Sequence, residues 1–147
     1  MRALTLLTTA LAVATLATGT ASGVAAAASR DTLTVRDSSF GRILFDGRGF
    51  ALYAFTRDAK RRSRCDGACA VAWPPYLVPR TPRAGKGTRA RLLGTTRRAD
   101  GRLQVTYAGR PLYYYVGDRS AGQVSCQNVD EFGGLWLVVR GSGALVR

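Results

Sequence analysis

Residues 53–58 read Tyr-Ala-Phe-Thr-Arg-Asp (YAFTRD), and residues 113–118 read Tyr-Tyr-Tyr-Val-Gly-Asp (YYYVGD). The second stretch starts sixty positions after the first, and Tyr, an aromatic ring and Asp recur at places one, three and six. In a strand, places one and three point to the same face. Tyr53 and Phe55 are therefore expected to face one side together, and so are Tyr113 and Tyr115. Burying each ring is worth roughly 1.5–3 kcal/mol. Asp58 and Asp118 fall where each strand should end, and a carboxylate there accepts hydrogen bonds from loop N–H groups and fixes the turn. The same six residues leave two other readings open. Two symmetric Asp–Tyr pairs would line a groove for a cation or polar ligand, or the two carboxylates would form an acid/base pair, which needs their loops to meet.

The repeat extends outward from the motif. Gly41-Arg42-Ile43 matches Gly101-Arg102-Leu103, Leu52 matches Leu112, and each copy runs on to a tryptophan, Trp73 and Trp136. A single duplication of this length points to two supersecondary units packed together, at about 41–75 and 101–139. The units read as strands. Asp46-Gly47 and Ala108-Gly109 are hairpin-turn signals between apolar segments. Leu103, Val105 and Tyr107 alternate with Gln104 and Thr106, the pattern of a half-buried strand. Gly134 to Val139 reads as a buried strand, and Thr32 to Arg36 as an added edge. Asp66 to Trp73 has room for one short helical turn. The Pro/Arg/Gly-rich stretch from Pro74 to Arg98 reads as a long exposed loop. The expected fold is all-β: two tandem β-units packed as a small sandwich or barrel-like domain.

The first 28 residues have the layout of a secretory signal peptide: one early charge, Arg2, then an apolar run, then small residues ending at Ala28. The run is shorter than the roughly 20 residues a membrane span needs. The 147 residues less these 28 leave 119, enough for one domain, 29–147. Setting Arg2 aside leaves 21 basic and 9 acidic residues, a net charge of +12. The expected location is extracytoplasmic, with no span in the mature chain.

No histidine occurs anywhere. That excludes Ser-His-Asp and Cys-His nucleophile systems, imidazole metal ligands and a proximal-histidine haem. No catalytic constellation is read, and no cofactor or resident metal is expected.

The tandem Tyr-x-[Phe/Trp/Tyr]-x-x-Asp motif, filled by Tyr53, Phe55, Asp58 and by Tyr113, Tyr115, Asp118, resembles a bacterial family of secreted proteins and predicted lipoproteins named for it. Cys65 to Pro75 (CDGACAVAWPP) is similar to that family's Cys-x-x-x-Cys…Trp-Pro-Pro segment, and GRPLYYYVGD with GGLW to its second half. The chain departs from the lipoprotein members in lacking a lipidation cysteine. The resemblance implies an extracytoplasmic domain and lends no settled activity.

In an exported chain, a disulfide is the default for paired cysteines. Cys65–Cys69 is the first choice, with Cys126 a free thiol able to make a dimer. A cross-unit bridge from Cys126 to Cys65 or Cys69 stays open, as does a thiolate site suited to Cu(I). Basic residues cluster at Arg57 to Arg64, Arg80 to Arg91 and Arg97-Arg98. As loop charges outside the cytoplasm, they favour anionic envelope polymers or lipid headgroups. Nucleic acid is disfavoured, because no nucleic-acid fold signature accompanies them. Ala84 to Thr88 (AGKGT) is not a phosphate-binding loop: the leading glycine is missing and Gly87 follows the lysine. Three function classes follow: a binding or scaffolding module at the bacterial cell envelope; a redox or metal/ligand-binding protein using Cys65, Cys69, Cys126 or the Asp58/Asp118 pair; and electrostatic adhesion to anionic wall polymers or lipid.

Overall fold

The computed structural model describes residues 32–147. The expected signal peptide, residues 1–28, lies outside them. Ten short strands and one short helix follow in order: β1 (Thr32–Arg36), β2 (Ile43–Asp46), β3 (Tyr53–Phe55), α1 (Ala68–Ala72), β4 (Leu77–Val78), β5 (Arg83–Ala84), β6 (Leu93–Arg97), β7 (Leu103–Tyr107), β8 (Arg110–Pro111), β9 (Val129–Glu131) and β10 (Gly134–Val138). They form three small sheets, β2-β1-β5, β3-β10-β9 and β4-β7-β6, with β8 on β7. The fold is all-β and sandwich-like, without a closed barrel.

The apolar runs are continuous because several strands are buried on both faces. Ile43, Phe45, Tyr53, Phe55, Tyr113, Trp136 and Val138 point into one core. Their chain neighbours Leu44, Leu52, Ala54, Leu112 and Val139 point into the other. These segments thus form a middle layer with period-two side chains feeding two cores.

Three sequence expectations change. β1 is the centre of its sheet, not an edge, because two residues of β5 pair parallel to its other side. The stretch from Pro74 to Arg98 is not a loop. It holds β4, β5, a 3-10 turn at Ala90–Leu92 and β6, whose five residues pair with β7 from Leu93↔Tyr107 to Arg97↔Leu103. Pairing to a buried neighbour supplies the stability that its weakly apolar sequence does not advertise. Finally, β7 is not half-buried, since Gln104 and Thr106 are buried along with Val105 and Tyr107. Burial of the Gln104 amide is tolerable because Nε2 donates to the Leu112 carbonyl at 2.8 Å and Oε1 accepts from Arg98 at 2.7 Å.

The turns behave differently. Ala108 and Gly109 both take positive φ, 50° and 76°, and close Tyr107↔Arg110 as a two-residue turn. At the first hairpin, the residue with positive φ is Gly49 rather than Gly47. There the Asp46 side chain caps the loop by accepting from the Arg48 and Phe50 amides at 2.9 and 3.0 Å.

Candidate functional site

The motif residues of the two repeats meet at a local dyad. Tyr53 and Tyr113 pair in antiparallel fashion, each amide donating to the other's carbonyl at 2.9 Å. From this pair the phenols run outward to the opposite repeat. Tyr53 donates to Asp118 Oδ2 at 2.7 Å, and Tyr113 donates to Asp58 Oδ2 at 2.8 Å. The other oxygen of each carboxylate closes its own loop. Asp58 Oδ1 accepts from the Arg64 amide at 2.7 Å, and Asp118 Oδ1 from the Ser125 amide at 2.9 Å. Ser63 Oγ lies 2.7 Å from the Tyr113 phenol oxygen.

The third motif position and the two tryptophans repeat this exchange. Phe55 stacks on Trp136 with centroids 4.2 Å apart, and Trp136 stacks on Trp73 at 4.0 Å. Tyr115 covers the other side of Trp73 at 4.7 Å. Tyr53 meets Trp73 edge-on at 5.2 Å, and Tyr113 meets Trp136 edge-on at 5.1 Å. Each motif ring at position three therefore packs on the tryptophan of the other repeat, Phe55 stacked and Tyr115 tilted. The Trp73 indole donates to Glu131 Oε2 at 2.8 Å, a partner with no signal in the repeat pattern.

Burial raises the Tyr53 phenol well above its ordinary range, and the bond to Asp118 adds to it. Tyr113 is raised likewise, by burial first and then by the Asp58 charge. Asp58 is pushed up to about 6 by burial, which the Arg64 amide and the Tyr113 phenol offset in part. Asp58 and Asp118 line different cavities. Asp58 lines one of about 240 Å³ with Lys60, Gly109 and Arg110, and Asp118 lines another with Arg48, Phe50 and Tyr114. Among the described residues, no group of three or more Cys, Asp or Glu side chains is placed to hold a metal ion.

Cys65 and Cys69 form a disulfide that clamps the loop entering α1. Cys126 is a free, buried thiol, so no bridge crosses the repeats. A three-thiolate site is not formed, because two of its sulfurs are spent in the disulfide. Burial raises the Cys126 thiol, and its bond to Tyr115 raises that phenol in turn.

Arg98 was expected to be an exposed loop charge, but it is 8% exposed. Its guanidinium donates to Ser63 Oγ at 2.9 Å, Gln104 Oε1 at 2.7 Å, the Cys65 carbonyl at 2.7 Å and Asp66 Oδ1 at 3.0 Å. It thereby ties the disulfide loop to β6 and β7. A charge in a basic run gives no sequence signal of such a role; only the polar Gln104 on an apolar strand hints at a buried partner.

Five further cations line two clefts beside β6. The first, about 360 Å³, is bordered by Lys60, Arg61, Arg91, Leu92, Gly94 and Thr106 among others, with no acidic residue in its lining. The second, about 440 Å³, is bordered by Arg62, Ser63, Asp66, Arg97, Arg98 and Ala99. Among the described residues, Lys60, Arg61, Arg62, Arg91 and Arg97 form no ion pair; the three pairs are Arg48–Asp46, Arg98–Asp66 and Arg102–Asp100.

Fold and site thus define an all-β domain of two interlocked repeats, with the shared motif at their seam and basic clefts on one side. The chain belongs to the family described as a secreted repeat of unknown function, which matches it twice, at residues 34–76 and 94–140. These stretches take in most of β1 and of β6, the strands that open each repeat ahead of the Gly-Arg element. No curated protein and no solved structure matches the chain. No helix among the described residues is long and apolar enough to cross a membrane.

Proposed function

We propose that the chain is an extracytoplasmic, non-enzymatic binding module, exported by its first 28 residues, that adheres to anionic polymer of the cell envelope. The twin Tyr-x-aromatic-x-x-Asp motifs are its architecture and the basic clefts its binding face. The observation that supports this is the division of charge. The carboxylates of Asp46, Asp58, Asp66, Asp100 and Asp118 and of Glu131 are engaged within the protein. Five exposed cations around the clefts are left without a carboxylate partner. Cations gathered in clefts whose one acidic neighbour, Asp66, is paired with Arg98 focus a positive field outward. The Cys65–Cys69 disulfide fits an oxidising compartment.

The test is binding of the secreted chain to poly(glycerol phosphate) across a salt series, with neutral dextran as control. Engagement of five cations predicts that log K falls with log salt at a slope of about −3.5. Affinity that ignores salt, or equal retention on dextran, overturns the reading.

A further inference from the structure

The two clefts are not independent pockets on a basic surface. The segment from Lys60 to Cys65 lies along one face of β6. Thr96 Oγ1 donates to the Arg61 carbonyl, and Arg98 donates to Ser63 and to the Cys65 carbonyl. Gly94 and Thr96 share that face, since alternate residues of a strand point the same way, and Arg98 follows directly on the last strand residue, Arg97. The first cleft opens at Gly94 and the second at Arg98, on either side of the Thr96–Arg61 contact. From Gly94 to Arg97, three residues of strand put the two openings about 10 Å apart.

Both ends of this arrangement are fixed. The Arg61 amide donates to Gly109 at the tip of the β7–β8 turn at 2.7 Å, and the Lys60 stem lies over Gly109. At the other end the disulfide and buried Arg98 hold the chain. Lys60, Arg61 and Arg91 carry three positive charges at the first cleft. At the second, Arg62, Arg97 and Arg98 outweigh Asp66, which Arg98 already neutralises.

Resting on the proposed adhesion to anionic polymer, we infer that the paired clefts form one bipartite site for a linear phosphodiester polymer, which must present anionic groups to both clefts at once. A single phosphate occupies one cleft and gains nothing from the other. A chain long enough to span them turns the second contact into an intramolecular event, which multiplies affinity by roughly 10²–10⁴ without any new contact chemistry. The occupant is a chain rather than a flat surface because both groups of cations line clefts, which admit a strand of polymer.

The test uses the secreted chain and synthetic glycerol-phosphate oligomers of one, two and six units, titrated at one fixed salt concentration. The six-unit oligomer is expected to bind about 100-fold or more tighter than the one-unit probe. The variants Lys60→Ala/Arg91→Ala and Arg62→Ala/Arg97→Ala each remove two exposed cations from one cleft. Either should bring the long oligomer down to within about threefold of the short one. A control, Arg80→Ala/Arg119→Ala, removes the same charge elsewhere and should keep most of the length dependence. Equal loss in the control, or tight binding of the long oligomer without length dependence, overturns the bipartite site and leaves general adhesion standing. Capture by phosphatidylglycerol vesicles with no binding to any oligomer overturns the choice of a polymer. No binding to either overturns the adhesion reading as well.

Discussion

Tyr53 and Tyr113 make the same contact in mirrored places, yet their surroundings differ. Asp118 is buried, whereas Asp58 is half-buried and borders a cavity. Replacing a phenol that satisfies a buried carboxylate strands that charge, at about 1–3 kcal/mol. Tyr53→Phe should therefore lie near the top of this range and Tyr113→Phe near the bottom, as read by urea unfolding. Equal losses would show that Asp118 finds another donor. The raised Asp58 predicts a pH effect of definite sign. Its carboxyl binds a proton more readily folded, near pH 6, than unfolded, near 3.8. Between those values the native state holds more protons, so this group's contribution to stability is greatest in acid and falls as pH rises through 6. The melting temperature of Asp58→Asn relative to the parent should accordingly rise from pH 4 to pH 7. A flat difference would place the Asp58 carboxyl in its ordinary range.

At the scale of elements, the segment between β3 and α1 has little apolar content of its own and is held by two devices. The Cys65–Cys69 bridge closes a very small loop, worth about 2 kcal/mol by chain entropy. Arg98 supplies three hydrogen bonds to the same segment, at Ser63, the Cys65 carbonyl and Asp66, and a fourth to the buried Gln104 amide oxygen on β7. Arg98→Met leaves the Gln104 oxygen without its Arg98 donor and the Cys65 carbonyl with only a long 3.5 Å contact from the Ser63 hydroxyl, and should cost about 3 kcal/mol or more. The two changes act on one segment, so Arg98→Met with Cys65→Ser/Cys69→Ser should cost less than the sum of the separate losses. Strict additivity in denaturant titrations would show that bridge and guanidinium restrain different parts of the loop.

For the molecule as a whole, the seam between repeats is also the centre of the core. Trp73 and Trp136 lie face to face, and each is covered by the motif ring of the other repeat. Neither repeat can bury its own tryptophan. Residues 29–90 and 91–147 expressed separately should show no cooperative unfolding by tryptophan fluorescence, and mixing should restore it. A half that melts cooperatively alone would show that the repeat is an independent folding unit. Within the intact chain, Trp136→Ala should cost about 3–5 kcal/mol, because the cavity opens between two stacked rings.

Local chemistry made much of this legible in the sequence. The paired motif placed Tyr53 with Phe55 and Tyr113 with Tyr115 on one core face, and Asp58 and Asp118 at loop-closing positions, because strand periodicity and carboxylate geometry act over a few residues. The Ala108-Gly109 turn, α1 and the Cys65–Cys69 bridge were readable for the same reason. What crosses between repeats was not. The swap of phenols and carboxylates at the dyad, the Trp73–Trp136 stack, the burial of Arg98, and the recruitment of Leu93 to Arg97 into a strand all depend on partners tens of residues away. So does the gathering of Lys60, Arg61, Arg62, Arg91 and Arg97 around one strand. Sequence spacing records which side of its own strand a residue takes; only the packed molecule decides what stands opposite.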